Sequence, residues 1–289
     1  MTEITCVADV KAVLGEGPVW VVAEQALYWT DIEGRRVYRR AFADGKLDRW
    51  TVPFRIGSLA PRTGGSGFVA GTDRGLFFAD PARDRYDPIA NPESDLPTNR
   101  FNDGKTDRAG RFWAGTMDGT EKAAQGSLYR LDPDLTLTRI DDAYSVTNGP
   151  AFSPDGHTMY HNDSGRQLTY AFDLDEAGNA SNRRVLARFG EEDGYPDGMT
   201  VDADGCLWIA YWDGWCLRRL SPKGELLQTL KVPVARPTSC AFGGPDLDHL
   251  FITSARRDLD EAALAAQPQA GGLFVATPGV KGLGETPFG

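Results

Sequence analysis

The amino-acid sequence predicts an all-β fold, a six-bladed β-propeller with four strands in each blade. Three observations lead to this prediction: short apolar segments alternate with turns, these segments repeat, and helical periodicity is nearly absent. The 289 residues include 33 glycines and 18 prolines, which separate the apolar segments. The one stretch with helix-forming composition, 258–266, begins with acidic residues and ends before Pro268. The crossover helices of an α/β fold are therefore missing.

The repeating unit is clearest at 196–209. Asp197 and a glycine precede a short apolar segment, an Asp-Gly turn follows, and a second apolar segment ends the unit, a pattern typical of a β-hairpin. Related units recur about every 40 to 50 residues, and each has room for about four short strands, as in a propeller blade. We place the six first strands at Glu16, Gly57, Asn102, Asn148, Asp197 and Thr238.

Closure of the ring requires a strand from the far end of the chain. Residues 4–10 form a spare strand before the first unit. We predict that this strand pairs with residues 272–276, which completes the sixth blade and covers both of its edges. No linker or low-complexity segment divides the sequence, so residues 1–289 are expected to form a single propeller domain.

The charge of the chain limits its partners. With 31 Lys and Arg against 41 Asp and Glu, the formal net charge is −10 at pH 7. This charge repels phosphate backbones and anionic lipids, so we expect neither nucleic acid nor membrane as a partner. The first residues lack the features of a signal peptide, which favours a cytoplasmic protein. The sequence does not indicate the oligomeric state. The four cysteines lack metal-binding spacing and are expected to be reduced core residues.

Polar side chains at the start of the first strands form the candidate site. In a propeller these strands line the central channel, so Glu16, Asn102, Asn148 and Asp197 should converge at one mouth. Their oxygens suit one divalent cation such as Ca²⁺, Mg²⁺ or Mn²⁺, with Zn²⁺ or Fe²⁺ as further options. Turn chemistry explains each residue alone, but it gives no reason for four of six units to share the position. Either Asn102 or Asp103 could face the channel.

Other catalytic chemistries find little support. No Gly-x-Ser-x-Gly elbow occurs, and the three histidines are too few and too scattered for a zinc motif. His161 is the one histidine kept as a candidate for the pocket. The segment 211–215 suits a pocket wall and the core equally. Tryptophans recur on the second strands, where packing between blades explains them.

The chain resembles the SMP-30/gluconolactonase (regucalcin) family of six-bladed propeller lactonases. The asparagine-rich segment 99–105 together with the Gln-Pro-x-Ala-Gly-Gly segment that begins at Gln267 is specific for this resemblance. The matching stretches lie in order along nearly the whole chain, at 15–18, 99–105, 114–117, 181–184, 196–199, 238–244 and 267–274.

The resemblance implies roles for individual residues. Glu16, Asn148 and Asp197 would bind the divalent metal ion, and Arg100 and Asn102 would hold a sugar lactone above it. The resemblance thus favours Asn102 as the residue that faces the channel.

The loop after Met117 departs from the family pattern. It is shorter than the loop that carries an acidic substrate contact in the animal members. Asp118 or Glu121 is expected to replace that contact, and the identity of the sugar stays open.

The function predicted in this way is metal-dependent hydrolysis of an aldonolactone to the aldonic acid in sugar catabolism. Asp197 would accept a proton from the attacking water, or would act as a ligand only. Two alternatives are a calcium-binding regulatory protein without lactonase activity and a promiscuous esterase or organophosphate hydrolase. Arg100 and the polar channel mouth favour a polyhydroxylated substrate.

Overall fold

A computed structural model describes residues 3–289. Its strands form six four-stranded antiparallel sheets that are the blades of a β-propeller, which confirms the predicted fold. Five of the blades consist of consecutive strands, and the sixth combines both ends of the chain. In each of the five, the first strand in sequence is an edge of the sheet, and each later strand pairs with the one before it.

The strands follow one another in chain order. Strand β1 (Ile4–Ala8) precedes the first blade, which contains β2 (Gly15–Val21), β3 (Ala26–Asp31), β4 (Arg36–Ala41) and β5 (Leu47–Thr51). The second blade contains β6 (Ile56–Pro61), β7 (Phe68–Thr72), β8 (Gly75–Asp80) and β9 (Arg85–Ala90). The third contains β10 (Asn99–Thr106), β11 (Phe112–Asp118), β12 (Gly126–Leu131) and β13 (Leu137–Tyr144). The fourth contains β14 (Thr147–Phe152), β15 (Thr158–Asp163), β16 (Leu168–Leu174) and β17 (Ala180–Arg188). The fifth contains β18 (Tyr195–Val201), β19 (Leu207–Trp212), β20 (Cys216–Leu220) and β21 (Leu226–Lys231). The sixth contains β22 (Pro237–Gly243), β23 (His249–Ser254) and β24 (Leu273–Ala276), together with β1.

Helical structure is confined to short segments. Helix α1 (Glu261–Ala266) begins three residues later than the sequence predicts, because Asp260 accepts a hydrogen bond from the backbone N–H of Ala263 and caps it. Short 3-10 helices occupy Val22–Glu24, Pro81–Arg83, Ser164–Arg166 and Glu191–Asp193. Within residues 3–289, no helix has the length and apolar character needed to span a membrane.

The innermost strand of every blade carries a β-bulge near its start. A bulge shifts the register by one residue and redirects the side chains beside it, which makes it a common device next to functional sites. Polar side chains can therefore face the channel from strands that otherwise pack into the core. The shifts lie between Glu16 and Val19, Ile56 and Ser58, Phe101 and Gly104, Asn148 and Ala151, Pro196 and Met199, and Pro237 and Ser239.

Apolar and aromatic side chains fill the spaces between blades. Trp113 and Trp208 lie on second strands and are fully buried, as the repeat predicts. Each indole N–H donates to the aspartate of the preceding turn, Asp107 at 2.9 Å and Asp202 at 3.0 Å. These bonds satisfy the polar edge of each indole inside the core. Cys206, Cys216 and Cys240 are also buried, and all four cysteines are free.

The C-terminal segment 277–289 covers the end of the channel where the innermost strands finish. Glu285 forms an ion pair with Lys105 at 3.2 Å. The backbone N–H of Phe288 donates to Pro61 at 2.7 Å, and Thr106 donates to the carbonyl of Thr286. This end of the channel is therefore closed by the chain itself, and the mouth at the other end is the one with the predicted site.

The ring closes as the sequence predicts. Strand β1 pairs antiparallel with β24, with Ile4 opposite Ala276 and Cys6 opposite Phe274. Val7 and Val10 pack against the apolar cluster between the sixth and first blades. The pairing covers the outer edge of β24 and gives the sixth blade its fourth strand.

Removal of residues 1–10 should destabilise the protein, because it exposes the edge of β24 and uncovers apolar side chains. We expect a loss of several kcal/mol out of the roughly 5–15 kcal/mol typical of a folded domain, together with aggregation. Thermal melting and light scattering measure both effects. Removal of residues 1–3, which lie before β1, is the matched control. Equal melting temperatures for the two truncations would contradict the role of β1 in closure.

His161 is not a pocket residue, contrary to the sequence-based expectation. It is fully buried in β15 and meets the ring of Tyr144 edge-on, at 4.8 Å between ring centres. Neither ring nitrogen has a hydrogen-bond partner within the described residues. Burial lowers the pKa of His161 to about 3. The neutral form is retained in the folded state, whereas the unfolded chain takes up a proton near pH 6.5.

His161→Phe should therefore flatten the loss of stability in acid. In wild type, the contribution of neutral His161 to the free energy of unfolding is complete above about pH 6.5. Between pH 6.5 and pH 3 this contribution decreases by up to about 1.4 kcal/mol for each pH unit. Urea unfolding at pH 7 and pH 5 measures this slope, with His157→Phe at an exposed position as the control. If His161→Phe and wild type lose stability in parallel, His161 is not the group that titrates.

Candidate active site

The mouth of the central channel contains a cavity of about 330 Å³. Innermost strands from different blades contribute its floor, and loops from the first, third, fourth, fifth and sixth blades form its walls. The lining residues are Leu14, Glu16, Arg100, Asn102, Met117, Glu121, Val146, Asn148, Ser164, Gly165, Tyr195, Asp197, Trp212, Arg236, Arg257 and Asp258.

The cavity brings together six of the seven residues singled out from the sequence. Glu16, Asn148 and Asp197 come from the first, fourth and fifth blades, and their exposed fractions are 5%, 3% and 7%. Arg100 and Asn102 enter from the third blade and are also buried. Glu121 joins them at the rim, whereas Asp118 does not line the cavity.

A directed chain of hydrogen bonds orients both amides. Arg100, which can only donate, bonds through Nη1 to Oδ1 of Asn102 at 2.6 Å. Asn102 Nδ2 donates to Oδ1 of Asn148 at 3.0 Å, and Asn148 Nδ2 donates to the hydroxyl of Ser164 at 2.8 Å. Ser164 in turn donates to the carbonyl of Pro196 at 2.6 Å. The Arg100 guanidinium at one end of the chain can only donate, and the Pro196 carbonyl at the other end can only accept. The Asn148 amide nitrogen must therefore face Ser164, and its oxygen must lie on the opposite side.

The bulge in β10 resolves the choice between Asn102 and Asp103. Asn102 lines the mouth cavity. Asp103 does not line this cavity, and its carboxylate accepts from the backbone N–H groups of Gly104 at 2.8 Å and Gly149 at 2.9 Å. Adjacent residues in a bulge can thus serve different sides of the strand.

Three buried acids give the channel a strongly unfavourable charge. Burial raises the pKa of Glu16 to about 8, and the charge on Asp103 adds to this shift. Burial also raises the pKa of Asp197 well above its usual range, with further repulsion from Glu16 and Asp103. Burial raises the pKa of Asp103 to about 6. Arg100 acts in the opposite direction on Glu16, but its effect is smaller than that of burial.

The donor set fits a divalent cation. Two buried carboxylates repel each other and have no ion-pair partner among residues 3–289, so a cation between them would relieve the repulsion. The described chain contains no group of three or more His, Cys, Asp or Glu side chains that could hold a metal. The third protein ligand would therefore be the oriented amide oxygen of Asn148. Such a hard, all-oxygen set with few charges is typical of exchangeable metal sites.

Asp118 shapes the wall of the cavity instead of lining it. Its side chain accepts from the backbone N–H groups of Thr120 at 3.0 Å, Lys122 at 3.2 Å and Ala123 at 3.1 Å. These hydrogen bonds, with that from the Thr120 hydroxyl first among them, lower the pKa of Asp118. Both carboxylate oxygens are thus engaged by the loop that presents Glu121, so the expectation that Asp118 contacts substrate is not supported by the geometry.

The segment 211–215, which the sequence assigns equally to pocket wall and core, divides between them: Tyr211 is core and Trp212 is cavity wall. Other lining residues were not singled out from the sequence. Tyr195 directly precedes the Pro-Asp-Gly step and shares its strand. Three more, Ser164, Arg236 and Arg257, lie in turns and in connections between blades. The repeating pattern of the strands does not predict which residues of these segments reach the cavity.

A larger concavity of about 730 Å³ lies beside the first two blades, away from the channel mouth. Tyr28, Trp50 and Phe68 form much of its wall. Most of its charged groups are already paired, as for Arg39 with Glu24 at 2.9 Å, and Arg62 lies over the ring of Phe78. It contains none of the buried acids, so the smaller cavity is the better candidate for chemistry.

Comparison with known proteins agrees with this fold and cavity. Residues 14–256 match the family described as "SMP-30/Gluconolactonase/LRE-like region". Regucalcin of Gallus gallus is 40% identical, over 99% of this chain and 98% of its own. The 6-deoxy-6-sulfogluconolactonase of Pseudomonas putida is 37% identical with the same coverage. A solved structure of a calcium-binding regucalcin from Agrobacterium tumefaciens has a TM-score of 0.95 at 31% identity, covering 100% of this chain and 98% of that one. This chain belongs to the SMP-30/gluconolactonase/LRE-like family.

Proposed function

We propose that the protein is a metal-dependent lactonase that opens the ring of a sugar lactone to the aldonic acid. The observation that carries the proposal is the pair of buried, unpaired carboxylates, Glu16 and Asp197, beside an oriented amide oxygen in a polar cavity. The name of the relative from Pseudomonas putida supports a lactone as substrate. The polar groups of the cavity suit a small polyhydroxylated molecule, which supports our proposal that the reaction belongs to sugar catabolism.

Glu16, Asn148 and Asp197 would hold the metal ion, which is Ca²⁺, Zn²⁺, Mg²⁺, Mn²⁺ or Fe²⁺. When bound, the ion would act as a Lewis acid toward the lactone carbonyl. Glu16 is held in place by a hydrogen bond of 2.9 Å from the backbone N–H of Gly17. Ser164 holds the Asn148 amide so that its oxygen, not its nitrogen, is available to the ion.

Asp197 is our candidate for the base that takes a proton from the attacking water. Burial and neighbouring acids raise its pKa in the metal-free chain. A bound cation would act in the opposite direction and keep the carboxylate in the charged form that can accept a proton. Its backbone is fixed by Asn162, whose Nδ2 donates to the Asp197 carbonyl at 2.6 Å. A rigid base in a small cavity can place the water at the lactone carbon.

Arg100 and Asn102 are our candidates for holding the sugar. Nη1 of Arg100 bonds to Asn102 and to the carbonyl of Phe101 at 3.1 Å. The remaining guanidinium donors are available for a hydroxyl or carbonyl oxygen of the substrate. Because Arg100 is buried, any hydrogen bond to the lactone is shielded from water and stronger than at the surface.

A panel of lactones tests the proposal directly. We expect hydrolysis of at least one of glucono-, galactono-, xylono- and arabinonolactone, followed with a pH indicator, and loss of activity with a chelator. Simple aryl esters and an organophosphate should be poorer substrates. Calcium binding without turnover of any lactone would instead favour a regulatory protein, the second function that the carboxylate pair permits.

Asp197→Asn and Asn148→Ala should separate base from ligand. Asp197→Asn keeps an oxygen for the metal but cannot take a proton, so turnover at saturating metal should fall by roughly 10²- to 10⁴-fold. Asn148→Ala removes a neutral ligand only, so saturating metal should restore part of its rate. Metal titrations of kcat for both variants measure the difference. Near-normal turnover by Asp197→Asn at saturating metal would make Asp197 a ligand only.

Asp197→Asn should also stabilise the metal-free protein. A carboxyl whose pKa is raised on folding contributes stability at low pH and loses it as the pH rises, so the gain in Tm should be larger at pH 8 than at pH 5. The same variant should lose most of the stabilisation by metal, which is about 2.7 kcal/mol when free metal exceeds its Kd 100-fold. Thermal melts with and without Mn²⁺ or Ca²⁺ test both effects. A lower metal-free Tm for the variant at pH 8 would contradict the repulsion described above.

A further inference from the structure

An ion pair joins two loops from opposite sides of the cavity. Glu121 lies in the loop between β11 and β12 of the third blade, and Arg257 follows β23 of the sixth. Their Oε1 and Nη2 atoms are 2.9 Å apart. In a ring of six blades the third and sixth face each other, so this pair spans the mouth of the channel. Both residues line the cavity.

Each end of the pair is held by its own loop. The side chain of Asp118 accepts hydrogen bonds from the backbone N–H groups on both sides of Glu121. Glu121 itself has a left-handed backbone with φ of 58° and donates its N–H to the Asp118 carbonyl at 2.9 Å. On the other side, the backbone N–H of Arg257 donates to Val13 at 2.8 Å. The Arg257 carbonyl accepts from Arg236. The contact is thus made by two anchored loops.

Stability does not explain the pair. The side chains of Glu121 and Arg257 are 43% and 30% exposed. An ion pair so accessible to water contributes about 0–1 kcal/mol. The pair does occupy space at the mouth, because both side chains line the cavity of about 330 Å³ and their contact crosses it. That volume is near the lower end of the roughly 300–1,000 Å³ found for ligand sites.

We propose that the Glu121–Arg257 pair sets the size of the substrate, a conclusion that rests on the lactonase function proposed above. The lactone carbonyl must reach Asp197 and Glu16 on the channel floor, so the other end of the sugar lies toward the rim. The pair admits a single sugar lactone there and excludes a lactone that carries a second sugar. Arg257 acts on specificity through its contact with Glu121.

Charge exchange provides the test. We compare kcat/KM for gluconolactone and for cellobionolactone, which adds one glucose at the far end, in metal-loaded wild type, Glu121→Arg, Arg257→Glu and the double exchange. Either single reversal should lower the preference for gluconolactone by about tenfold, mainly by raising kcat/KM for the larger lactone. The double exchange should restore the preference, because the pair can form again in reverse.

Two further variants guard the interpretation. Arg257→Met keeps the length of the side chain without its charge, and it should relax the preference even if a reversal fails to fold. Arg184→Met breaks a similarly exposed ion pair with Asp173 far from the cavity and should leave the preference unchanged. An unchanged preference in Arg257→Met, or a double exchange as relaxed as the single reversals, overturns the size limit. If wild type still hydrolyses gluconolactone in that case, only the size limit is overturned and the proposed lactonase function stands. If wild type is inactive on every lactone, both proposals are overturned.

Discussion

The mutual repulsion of Glu16 and Asp197 is the constraint on which the centre of this propeller depends. Both carboxylates are buried, and burial raises the pKa of each. In the unfolded chain such groups would be in water, because their charged forms are costly in the low-dielectric interior of a folded protein. Here the two blades that carry them are locked into a ring by packing and by the β1–β24 pairing. The free energy of closing the ring offsets the local repulsion and keeps both acids in the same cavity, where the proposed cation would relieve it.

The same constraint explains the hydrogen bonds around the acids. A site that attracts a cation must present oxygens and keep amide nitrogens away. The chain from Arg100 to the Pro196 carbonyl does this for Asn148, whose nitrogen is turned to Ser164, while Asn102 turns its oxygen to Arg100 and donates to the Asn148 oxygen. Rigid second contacts of this kind tune a site as much as its direct ligands do.

The sequence predicts well what repeats and poorly what occurs once. The inner strands and the channel-facing polar residues follow from a period that places Glu16, Asn148 and Asp197 at equivalent positions, and ring closure follows from the spare strand before the first unit. Asp118 was harder to interpret, since an acid next to a channel strand suits substrate contact and loop capping equally until the loop conformation is known. Arg257 carries no periodic signal, because it meets Glu121 only through the circular arrangement of the blades.

Histidine 161 failed as a pocket candidate for a similar reason. Alternation along β15 assigns the side chain to one of the two faces of the sheet. The sequence does not show whether that face lies toward the cavity or toward the neighbouring blade. The opposite outcome holds for Trp212, which reaches the cavity from the end of β19 while Tyr211 beside it is core. One residue of register thus separates packing from function at the rim.

The use of an amide in place of a third carboxylate follows from charge balance. Two carboxylates are neutralised by one divalent cation. A third acid at the position of Asn148 would leave a net negative charge in a buried site whose carboxylates are already repelled by the charge of Asp103. The pKa of that third acid would rise until the acid was protonated. As the proposed ligand, Asn148 would supply the third oxygen without that charge, and Ser164 supplies the orientation that a symmetric carboxylate would not need. A neutral ligand would therefore depend on one serine hydroxyl, which connects the Asn148 amide of the fourth blade to the backbone of the fifth.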